Sequence, residues 1–95
     1  VERFIAEIRS GTLIGYKYFS FEGAKSITLT GRGKGSGRVS VRTAADGDEV
    51  ASVNISAADD WTEFSAPLSI ADGVFPIYLV FDIDGETALR DISFE

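Results

Sequence analysis

The stretch KSITLTGR, Lys25 to Arg32, alternates without a slip: Ile27 and Leu29 fall on one side, and Ser26, Thr28 and Thr30 on the other. Period-2 spacing of this kind makes a pleated strand with one apolar and one hydroxyl-bearing face, whereas a helix would scatter the same residues around its circumference. Outward from it the pattern recurs. Beyond a glycine-rich turn, Val39 and Val41 continue it in a second strand. Upstream, Leu13 to Phe21 carries Tyr16, Tyr18, Phe19 and Phe21, a β-prone run whose alternation slips near Phe19, which predicts a bulge there. Before it, Gly11 marks a turn and Glu2 to Ile8 reads as a loosely patterned first strand.

Downstream, Asp46-Gly47 is a hairpin signal, because aspartate tolerates positive φ and glycine adopts it without a Cβ clash. Glu49 to Ile55 follows as a strand, with Val53 and Ile55 in phase. Trp61 to Ile70 places Phe64, Ala66, Leu68 and Ile70 on one face, with Pro67 pointing to an edge strand or a bulge. Phe75 to Phe81 is nearly continuously apolar, as a central strand covered on both faces would be. Asp84-Gly85 turns the chain into a last strand, Leu89 to Phe94. No stretch sustains helical spacing for three turns. Eight short strands at intervals of about 8–12 residues predict an all-β sandwich or jelly roll.

The 95 residues suffice for one domain with a modest two-layer core. They show no internal repeat or linker, and the chain opens directly into apparent strand at Val1, as a module cut from a larger enzyme would. Neither cysteine nor histidine occurs, which excludes disulfides, thiolate or imidazole metal sites, and Cys- or His-based nucleophiles. Fifteen carboxylates against nine basic groups give a net charge of −6, which repels phosphate backbones and anionic membranes. No apolar run approaches the roughly 18 residues of a membrane helix. Neither nucleic acid nor membrane is therefore an expected partner.

Four groups of residues invite a functional reading. Gly31, Gly33, Gly35 and Gly37 in GRGKGSG resemble a phosphate loop, but Ser36 stands where the dinucleotide pattern needs glycine and no βαβ unit surrounds it. A mobile turn between two antiparallel strands is the expectation. Asp82, Asp84 and Glu86 in DIDGE place three carboxylates at alternate positions, either a calcium cage or a solvated hairpin turn. Asp59, Asp60 and Glu63 flank the single tryptophan, and paired carboxylates can run glycoside hydrolysis, although nothing in the sequence builds a pocket around them. Trp61 itself is out of phase with Phe64, Ala66, Leu68 and Ile70. Either its indole lies outward as a flat platform for a sugar ring or a protein, or a turn or bulge redirects it into the rim of the sandwich.

Taken together, GYKYFSFEG (Gly15 to Gly23), the Asp60-Trp61-Thr62 strand start, IADGVFPIYLVF (Ile70 to Phe81) and the closing LRDISFE resemble family 6 carbohydrate-binding modules. The resemblance is greatest to the C-terminal module of family 43 glycoside hydrolases, which act on xylan- and arabinan-type polysaccharides. It implies a galactose-binding-like β-sandwich jelly roll. It also implies a non-catalytic role, with an oligo- or polysaccharide and the parent glycosidase catalytic domain as partners. In that family a tryptophan and a tyrosine clamp a sugar ring with help from an asparagine. Trp61 matches the tryptophan, but the tyrosine position falls near Glu7 and the asparagine position near Leu89, so two of three groups are absent. A second cleft on the concave sheet is implied as an alternative, to which Tyr16 and Tyr18 contribute if they point outward. A structural Ca²⁺ is implied as well, with Asp91 matching one ligand and Glu2 or Glu7 the other. The rival expectation is a module that packs on a catalytic domain without binding sugar.

Overall fold

The computed structural model describes residues 5–44 and 47–95, apart from the side chain of Lys17. Its elements are β1 (Ile5–Ile8), β2 (Leu13–Phe21), β3 (Ser26–Gly33), β4 (Ser36–Arg42), β5 (Glu49–Ile55), β6 (Ala58–Pro67), β7 (Gly73–Asp84) and β8 (Thr87–Phe94). Each expected strand is found. Asp46 of the hairpin signal and Glu2 of the first strand lie outside the described residues. β6 starts earlier than its apolar alternation and ends at Pro67, so Leu68 and Ile70 meet the core from the loop beyond it.

Two four-stranded sheets form, in the orders β1-β8-β3-β6 and β2-β7-β4-β5, with every neighbouring pair antiparallel. The alternating residues read from the sequence supply the core between them. Ile27 and Leu29 from β3, Val39 and Val41 from β4, Val53 from β5 and Ile77 and Leu79 from β7 are essentially inaccessible. At one end, edge-on aromatic contacts join the sheets: Phe94 of β8 packs against Phe21 at 4.9 Å and Phe19 at 5.2 Å between ring centroids. A void of about 10 Å³ beneath Gly31, lined by Leu29, Val39 and Phe81, is too small for any ligand.

Three sequence expectations change. The GRGKGSG segment does not join two paired strands, since β3 and β4 belong to opposite sheets. It is a clamped crossover and not a mobile turn: the Gly35 amide donates to the Glu86 carbonyl at 2.8 Å, and a Cβ on Gly33, whose φ is +134°, would stand 2.8 Å from that same oxygen. Its glycines serve backbone approach, not phosphate. Likewise Asp84-Gly85 is a corner between sheets and not a hairpin turn. Third, β7 is central but covered on one side only: Ile77, Leu79 and Phe81 are buried, while Pro76, Tyr78 and Val80 face outward and are half-exposed. The continuous apolar run of Phe75 to Phe81 thus combines a core face with an apolar outer face.

Candidate functional site, an aromatic cleft on the outer face of a sheet

Pro76 lacks the N–H that a central strand ordinarily contributes to its ladder. The partner strand accommodates it. β2 pairs Tyr16 with Ile77 and Phe19 with Phe75, so Lys17 and Tyr18 together oppose Pro76 alone in a bulge where the alternation slips. The consequence for the aromatic run is a change of face. Tyr16 sits opposite core-facing Ile77, and its ring packs toward Phe19 at 6.2 Å. Tyr18 is thrown outward and is 71% exposed.

One pair register further along, Gly15 faces Tyr78. A Cβ on Gly15 would lie 3.1 Å from Tyr78 Cε1 and 3.3 Å from Cδ1, so the tyrosine ring occupies the space that the glycine leaves open. Gly15, Tyr16, Tyr18, Pro76 and Tyr78 together line an open cleft of about 310 Å³. Its dimensions and aromatic lining suit the apolar face of a sugar ring. Burial raises the Tyr16 hydroxyl pKa, and the negative charge of Asp91 adds to the rise, so Tyr16 stays a neutral hydrogen-bonding group at the cleft's inner rim.

The flank of the cleft over β4 and β5 is polar. Ser40 donates to Glu49 Oε2 at 2.7 Å, and Arg38 Nη1 donates to the same oxygen at 2.8 Å and to Ser52 Oγ at 3.2 Å. Arg42 Nε donates to Ser40 Oγ at 3.0 Å. The Ser40 hydrogen bond, followed by the Arg38 bond and the charges of Arg38 and Arg42, holds the Glu49 carboxyl below the usual range.

Trp61 is in another place. It stands on edge strand β6 beside a register shift where Gly31 pairs with Thr62 but Gly33 with Ala58. The indole is half-buried, with Nε1 inaccessible. Arg32 Cζ lies 4.3 Å and Arg90 Cζ 5.1 Å from the ring centroid. Guanidinium groups therefore engage the ring, and the structure does not bring it together with Tyr16 or Tyr18. Asp59, Asp60 and Glu63 are exposed along the same strand, and neither cavity found among the described residues includes them.

The calcium ligands implied by the resemblance do not assemble among the described residues. Asp91 Oδ2 accepts from Arg90 Nε at 3.0 Å, Glu7 is exposed with φ at 58°, and no three carboxylates converge. Glu2 lies outside the described residues. In DIDGE, Asp82 and Asp84 project outward from β7 while Glu86 accepts two hydrogen bonds from Arg9 at 3.0 and 3.1 Å, so that group is no cage either.

Tyr78 was not among the residues singled out from the sequence. The signal for it was Gly15 within an aromatic strand, since a strand glycine marks close approach by another group.

No family model matches the sequence. A xylosidase/arabinosidase of Thermoclostridium stercorarium is 30% identical over 90 residues, covering 95% of this chain and 19% of that enzyme. Among solved structures, a β-1,3-glucan-binding family 6 module from Bacillus halodurans superposes with a TM-score of 0.89 at 23% identity, over 97% of this chain and 75% of that one. A family 43 arabinoxylan arabinofuranohydrolase from Bacillus subtilis, in complex with cellotetraose, matches with a TM-score of 0.80 at 23% identity, over 94% of this chain and 20% of its own. The chain thus spans about a fifth of the two enzymes and three quarters of the isolated module. Its fold is the β-sandwich jelly roll of the family 6 carbohydrate-binding modules.

Proposed function

We propose that this chain is a non-catalytic carbohydrate-binding module that holds xylan-like or related β-linked glycan for a parent glycosidase catalytic domain. The observation that carries the reading is the cleft, where the β2 bulge exposes Tyr18, Gly15 seats the Tyr78 ring, and a polar flank supplies hydroxyl partners. The relatives add support, since two of the matched proteins are enzymes acting on such polysaccharides and one is a glucan-binding module. The second reading, a docking module without its own sugar site, is favoured by one observation: arginines engage Trp61, the residue that matches the family's stacking tryptophan.

Calorimetric titration with xylo-, cello- and arabino-oligosaccharides separates the two. Under our reading at least one series binds, and Tyr78→Ala or Tyr18→Ala weakens it by about three- to tenfold, the value of one aromatic stacking contact. Trp61→Ala removes two cation–π contacts of about 0.5–1 kcal/mol each. It should lower the melting temperature and leave sugar affinity unchanged. Silence across the panel would establish the docking role instead.

A further inference from the structure

The flank of the cleft holds an unequal charge balance. Arg38 and Arg42 both project onto the outer face of β4, opposite Asp82 and Tyr78 of β7. Arg38 is committed, through Nη1, to both oxygens of Glu49 at 3.1 and 2.8 Å and to Ser52. Glu49 is in turn saturated by Arg38 and Ser40. Arg42 is different. Its Nε is fixed by the neutral Ser40 hydroxyl at 3.0 Å, and no other hydrogen bond or ion pair joins it to the described residues. Two Nη nitrogens, in the planar fork that fits a carboxylate, are left with no protein acceptor. Arg38 and Glu49 cancel, and one positive charge remains.

The place of that charge gives it meaning. Arg42 is the direct cross-strand partner of Tyr78, and directly paired residues lie about 5 Å apart between Cα atoms. Tyr78 leans over Gly15 on the other side, so the aromatic platform and the half-buried guanidinium stand side by side. The carboxylate that stands nearest along β7, Asp82, is four residues from Tyr78, or about 14 Å at roughly 3.4 Å per residue. That exceeds the screening length of about 8 Å at physiological salt.

We propose that the ligand of this cleft is an acidic glycan: a β-linked chain bearing a uronosyl group, with the sugar ring on Tyr78 and the carboxylate in the Arg42 fork. The inference rests on the carbohydrate-binding reading above and makes Arg42 its specificity-determining residue. A chain of net charge −6 repels polyanions at long range. Any acidic preference must therefore come from contact in the cleft, which makes the prediction sharp.

The test is calorimetric titration of the chain with a plain xylo-oligosaccharide and with the same oligosaccharide carrying one glucuronosyl branch, at low and high salt. The branched sugar is expected to bind about three- to tenfold tighter at low salt, the range of a partly exposed charge-assisted contact. That ratio should shrink at high salt and fall to about one in Arg42→Gln. Arg42→Lys, which keeps the charge but loses the fork, should retain part of it. Unchanged affinity of each variant for the plain oligosaccharide confirms an intact cleft. Equal binding of the two sugars by the native chain, or a preference that survives Arg42→Gln, overturns this inference and leaves the carbohydrate reading standing. Binding of neither sugar overturns both.

Discussion

Gly15 carries no side chain, and the Tyr78 ring fills the gap. The glycine does not adopt positive φ, so alanine meets no backbone penalty there. The obstacle is the tyrosine ring, which can swing away because it is the far end of a flexible side chain. Replacing a strand glycine with alanine ordinarily gains about 0.5–1 kcal/mol by restricting the unfolded chain. Gly15→Ala should therefore keep or raise the melting temperature while sugar affinity falls, as Tyr78 is displaced. A parallel loss of both stability and binding would show that Gly15 serves the fold and not the platform. Gly31 illustrates the opposite case. A Cβ there would come within 2.8 Å of the Ala88 carbonyl, which belongs to the backbone and cannot yield without moving β8.

At the scale of elements, β4 and β5 are tied across their outer face by Ser40, Glu49, Arg38 and Ser52. The folded Glu49 pKa lies below its unfolded value, so the stability it contributes is present above the unfolded value of about 4.3 and lost as pH falls through the folded one. Urea denaturation of the native chain and Glu49→Gln should give a larger difference at about pH 7 than at about pH 3, where the two converge. A constant difference would mean that Glu49 acts by packing alone. Tyr16 has the other sign. Its raised pKa favours the neutral phenol, so its contribution is intact below the ordinary tyrosine value and is lost as pH rises through the folded one.

For the whole molecule the open matter is metal. A site occupied at a hundred times its Kd adds about 2.7 kcal/mol to stability. For a domain of this size that would raise the melting temperature by roughly 10 °C or more. With Asp91 paired to Arg90 and no carboxylate trio among the described residues, the melting temperatures in calcium and in EDTA should coincide. A rise of that order in calcium would place the ligands at Asp91 and the undescribed Glu2.

The eight strands were legible in the sequence because alternation is a local property: each inward face, from Ile27 and Leu29 to Val39 and Val41, announces itself within a few residues. The bulge near Phe19 and the edge position of Pro67 were legible for the same reason. Which sheet each strand joins was not, because an inward-facing stripe looks alike on either side of a sandwich. Only the packed structure separates β3 from β4 and turns the glycine-rich segment into a crossover. The cleft was divided in the same way. Tyr18, the slip and Gly15 could be read singly, but Tyr78 and Arg42 join them only through pairing between strands distant in sequence. Trp61 was identified correctly as out of phase, yet the guanidinium groups that engage it come from β3 and β8, and such long-range neighbours are chosen by tertiary packing.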